Sequence, residues 1–99
     1  MNEAEQKMKA QNDMTRAHRA DELLSNPLYK EAIEAMEISL VEAFKDTKLD
    51  DDNLRHEVWQ RMQLLKQFQA KFEHVVREGK KARETLTLLE MAKQKLRRT

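Results

Sequence analysis

The chain has 99 residues with a net charge of +1, no cysteine, one glycine and one proline. That length holds one hydrophobic core at most, and Ala, Glu, Lys, Leu and Arg supply 53 residues, the composition of long helices and coiled coils. Excluded by the inventory are disulfides, zinc–thiolate centres, cysteine nucleophiles, glycine-rich phosphate loops and any β fold built on tight hairpins.

Residues 3–24 read as a short N-terminal helix whose packing residues are Met8, Met14, Ala17, Leu23 and Leu24. Alone it would fray, because short helices depend on tertiary burial. The first 20 residues hold no apolar stretch and do not read as a signal peptide, and no run approaches the ~20 apolar residues that span a bilayer. Asn26-Pro27 is the clearest punctuation. Asn is a favoured N-cap, Pro is favoured at the first helical position, and the residue before Pro is pushed out of the α region. A second, acidic helix is expected over 27–46, with Tyr29, Ile33, Met36, Leu40 and Ala43 in steps of four and three. Leu28, Ala32, Val41 and Phe44 widen that stripe, and Glu31, Glu34, Glu42 and Lys45 face away from it.

Apolar periodicity stops over 45–53, where Asp50-Asp51-Asp52 stands ahead of the next apolar run. Acids in that place cap a helix and oppose its dipole. The alternating acids, central Gly and twelfth-position Glu of a calcium loop are missing. From Leu54, steps of four and three pass through Val58, Arg61, Leu65, Phe68, Phe72, Val75, Gly79, Ala82, Leu86, Leu89, Lys93 and Leu96, and ten of these thirteen positions are apolar. Because the register crosses Gly79 without a slip, 52–97 reads as one long helix; the alternative is a helix C′ glycine and a turn at Gly79. Glu57 with Arg61 and Glu73 with Arg77 are acid-before-base pairs that support this helix.

The small net charge conceals a gradient: −1 over 1–24, −5 over 25–53, +2 over 54–78 and +5 over 79–99. The helix dipole accounts for Lys95, Arg97 and Arg98 near the C-terminus but not for Lys80, Lys81 and Arg83. These six side chains are the candidates for contacting nucleic-acid phosphates or an acidic partner helix. No aromatic for base stacking accompanies them, and no short helix suits helix-turn-helix docking, which favours the protein partner.

No residue set points to catalysis, a cofactor, a metal or a small-molecule substrate. His56 and His74 stand eighteen residues apart, roughly 27 Å along a continuous helix. His56-Glu57 lacks the second His of a zincin motif, and neither Ser25 nor Ser39 has a His partner by spacing. More informative are Ile38, Trp59, Leu88 and Met91, apolar residues off the main stripes. They give the two long helices more apolar face than one antiparallel pair covers, and burial of each is worth about 1.5–3 kcal/mol. The expected partner-binding residues are Ala82, Leu86, Leu88, Leu89, Met91 and Leu96, together with Ile38 and Trp59.

Arg19-Ala20-Asp21-Glu22-Leu23-Leu24, Asn26-Pro27-Leu28, Glu42-Ala43-Phe44 and Val75-Val76-Arg77-Glu78-Gly79-Lys80 together form a pattern of helix punctuation across about two thirds of the chain. In this it resembles the small helical virion-assembly proteins of tailed bacteriophages and prophages. The resemblance implies a head, connector or packaging accessory, cytoplasmic in the host cell and open to incorporation into a virion. It transfers no residue-level role. Phage scaffolding proteins are similar in style, with a basic C-terminal helix that touches coat; small terminase subunits carry a helix-turn-helix not found here.

The expected fold is all-α, a single domain with a short N-terminal helix and an antiparallel helical hairpin whose second arm is long and coiled-coil-like. Ile33, Met36, Leu40 and Phe44 are expected to pack on Leu54, Val58, Leu65 and Phe68, with Ala82 to Leu96 projecting to bind a partner chain. The expected function is non-enzymatic assembly through a homo-oligomer or another virion protein, without a membrane. A nucleic-acid-binding packaging accessory or regulator is the second reading. A small inhibitor of a host protein, its acidic helix imitating a phosphate backbone, is the third.

Overall fold

The computed structural model describes residues 2–97, which form three helices and no strand: α1 (Glu3–Ser25), α2 (Pro27–Lys45) and α3 (Asp52–Arg97). Each boundary has a chemical cause. Asn2 Oδ1 accepts from the Glu5 amide at 2.8 Å at the start of α1. Asn26, in extended backbone, caps α2 by accepting from the amides of Leu28 and Tyr29 at 2.9 and 3.2 Å, with Pro27 next in line. Of the acidic triplet, Asp51 caps α3 by accepting from the Leu54 amide at 3.1 Å. The intervening turn is stapled by Arg55, which donates to the Lys48 carbonyl at 2.6 Å, to Thr47 Oγ1 at 3.3 Å and to Asp52 at 3.3 Å.

The chain forms two compact units. One pairs α1 up to Glu22 with α3 from Phe72 onward. Two contacts define its antiparallel register: Lys93 Nζ reaches Glu3 Oε1 at 2.6 Å, and Gly79 meets Ala17. Fourteen residues on one helix thus match fourteen on the other, two heptads in step. The residues buried in this seam are small: Ala10, Ala20, Gly79 and Ala82. Small residues let two backbones approach closely, and at Gly79 closeness is the requirement. A Cβ there would overlap the Ala17 Cβ and lie 3.3 Å from the Asp13 carbonyl oxygen. Gly79 therefore serves helix contact, not a turn; α3 continues through it, and its φ is not positive.

This arrangement corrects the expectation that Ala82 to Leu96 projects. Ala82 is 6% exposed, and Leu86, Leu89 and Lys93 are half-buried in the same seam. The physical reason is that α1 needs little hydrophobicity to pack where the other helix offers Gly and Ala. Met8, expected among the packing residues of α1, is instead exposed.

The second unit, Leu23–Lys71, is the α2–α3 hairpin. Val58 and Leu65 are buried, and Tyr29, Ile33, Leu40 and Met62 are half-buried along the seam, with Gln69 donating to Glu37 at 3.1 Å. Met36, Phe44, Leu54 and Phe68, expected in this seam, are exposed. Two helices cover only one strip of each other. Met36 sits four residues before Leu40, Leu54 four before Val58, Phe68 three after Leu65 and Phe44 four after Leu40, so each lies at or beyond the edge of that strip.

Candidate interaction surface

α2 is the most apolar of the three helices, yet it buries none of its residues fully. Of the fifteen exposed large apolar side chains among the described residues, eleven lie in the hairpin unit.

The hairpin has two flanks. On one, Leu40, Val41, Met62 and Leu65, with Glu37 and Lys66 at the rim, line a shallow open groove. Trp59 lies farther round the same side of α3, 49% exposed and stacked on His56 with ring centroids 5.7 Å apart. The other flank follows from helical spacing: residues four before or three after a seam residue share one side. Met36 and Ala43 stand in that relation to Leu40, and Arg61 and Phe68 to Leu65. Leu54 stands likewise to Val58, and Glu57 and Leu64 lie one position outside the row. Met36 is 51% and Leu64 65% exposed, and between Leu54 and Leu64 Arg61 donates to Glu57 at 2.8 Å. This pair reads in the sequence as mere helix support; its three-four-three spacing with Leu54 and Leu64 is the available signal for more.

The sequence-expected partner residues are dispersed. Ile38 and Trp59 are exposed in the hairpin unit; Leu88, Met91 and Leu96 are exposed in the other; Ala82, Leu86 and Leu89 are covered there by α1. Lys80, Lys81, Arg83, Lys95 and Arg97 are exposed, while Arg98 lies outside the described residues. The basic third does not stand alone, because acids of α1 and of α3 itself lie alongside it. From α1, Glu3 is held by Lys93 and Asp21 borders the groove that Lys80 and Arg83 line; within α3, Lys81 reaches Glu78 at 3.3 Å. The hydrogen bond from Lys93, and then its charge, holds the Glu3 carboxyl below the usual carboxylate range. Reciprocally, Glu3 raises Lys93. Lys7 is 3.7 Å from the same carboxylate, but the Lys93 ammonium outweighs that attraction and pushes Lys7 down.

The histidines stand apart: His18 contacts Glu22 at 2.7 Å, His74 lies 4.0 Å from Glu78, and His56 stacks on Trp59. Among the described residues no three His, Asp or Glu side chains gather as metal ligands, and no helix is long and apolar enough to cross a membrane. No family model matches the chain, and no curated protein or solved structure proves similar to it.

Proposed function

We propose that this chain is a non-enzymatic helical assembly protein that works by burying its hairpin flanks against other protein chains. The observation that carries the reading is α2, an apolar helix with no fully buried residue beside a helix that exposes Leu54, Leu64 and Phe68. Side chains of this size forfeit about 1.5–3 kcal/mol each when left in water, and an exposed cluster of them marks a protein interface. A head, connector or packaging role in a virion is the setting that the resemblance supplies, and it belongs to this proposal. The Lys81–Glu78 pair within α3, and Asp21 bordering the groove of Lys80 and Arg83, weigh against a nucleic-acid role for these three bases.

Light scattering on the purified chain across a hundredfold range of concentration tests the reading. A discrete multiple of the 11.8 kDa chain mass is expected. One chain mass at every concentration would refute self-assembly and leave a different protein as the partner.

A further inference from the structure

We infer that the occupant of the Leu54–Leu64 row is a second copy of this chain, docked antiparallel about a two-fold axis so that the first four turns of the two α3 helices pack on each other. The inference rests on the assembly reading and names its partner. Its basis is self-complementarity. Leu54, Glu57, Arg61 and Leu64 are spaced three, four and three residues apart and run apolar, acid, base, apolar. That order becomes complementary to itself when one copy is reversed. With Glu57 opposite Arg61 of the second copy, Leu54 falls opposite Leu64, and the two-fold repeats both pairings. A parallel copy would set acid on acid and base on base. The open groove on the other flank, with Glu37 and Lys66 at its rim, has no such symmetry.

Already paired within one chain at 2.8 Å, Glu57 and Arg61 become a ring of four alternating charges across the two-fold, which fixes register more than it adds affinity.

The experiment is light scattering and sedimentation of the full chain beside four variants, with helicity checked by circular dichroism. Wild type is expected at two chain masses. Leu64→Asp, at an exposed position, retains helicity and weakens the dimer by about a hundredfold or more. Glu57→Arg or Arg61→Glu alone weakens it about tenfold, and the double swap restores it to within about threefold. A wild-type dimer insensitive to Leu64→Asp and to the single swaps overturns this interface and leaves the assembly reading standing. A wild-type trimer or larger closed ring overturns the two-fold arrangement. A single chain mass throughout overturns the second copy as occupant and, with it, the self-assembly form of the reading.

Discussion

Gly79→Ala separates two opposite expectations. In an exposed helix interior the change should stabilise by about 0.8–1 kcal/mol, the difference in helix propensity. In this structure the added methyl overlaps the Ala17 Cβ and stands 3.3 Å from the Asp13 carbonyl oxygen, which is backbone and cannot turn aside. Relief requires α1 and α3 to separate along a seam where Ala10, Ala20 and Ala82 also depend on closeness. Overpacking of this kind costs about 1–3 kcal/mol against a propensity gain of about 0.8–1 kcal/mol, so the net is a loss of up to about 2 kcal/mol. For a chain this size that is a fall in Tm of up to about 16 °C. Ala17→Gly alone forfeits about 1 kcal/mol of propensity but removes the atom that the new methyl meets. The double variant Gly79→Ala, Ala17→Gly should therefore be more stable than the sum of the singles by about 1 kcal/mol or more. Urea and thermal unfolding followed by circular dichroism measure all four corners. A Gly79→Ala chain more stable than wild type would refute the close-approach argument.

Other expectations concern the boundaries, the seam and its charges. Asn26→Ala removes the acceptor for two amides at the start of α2 and should cost about 1 kcal/mol in urea unfolding. Leu86→Asp with Leu89→Asp places two carboxylates in the seam with α1, and should cost about 4 kcal/mol or more. Circular dichroism should then lose up to about a quarter of its helical signal, the share contributed by the 23 residues of α1; unchanged helicity would mean that α1 does not depend on these leucines. Glu3 is depressed and Lys93 raised by their pairing. The depressed carboxyl contributes stability above the ordinary carboxylate range and loses it as pH falls through its folded value. The raised ammonium contributes below the ordinary lysine range and loses it as pH rises through its folded value. The small difference in Tm between wild type and Glu3→Gln should be present at neutral pH and vanish in acid.

The helix ends were legible because local chemistry writes them: Asn26-Pro27 and Asp50-Asp51-Asp52 need no knowledge of the remaining chain. The long stripe through Gly79 was equally legible as one helix, since its period did not slip. What α1 does was not. Ala10, Ala17 and Ala20 carry little hydrophobicity, and their value lies in what they lack, which becomes visible only beside Gly79 and Ala82 of a helix some sixty residues away in sequence. The hairpin seam was half legible. Val58 and Leu65 are buried and Ile33 and Leu40 half-buried along the seam that their spacing indicates, but periodicity could not say which flank stays open, because that depends on how many helices gather round. The Leu54, Glu57, Arg61, Leu64 row was present in the sequence and hidden by the sufficiency of a local explanation for its ion pair.

Arg55 and the Glu3–Lys93 contact together set an order of events. Arg55 closes a loop of seven or eight residues onto Lys48 and Thr47, an event of tens of nanoseconds for a free chain. The α1 seam, by contrast, joins residues 62 apart at Gly79 and 90 apart at Lys93. During synthesis at ~5–20 residues per second, α1 leaves the ribosome several seconds before the stretch it packs against, while the hairpin between them has its contacts within reach. The nascent chain thus has the hairpin contacts within reach while α1 is unpaired and mostly polar, and the alanine seam of α1 offers little for another exposed segment to seize.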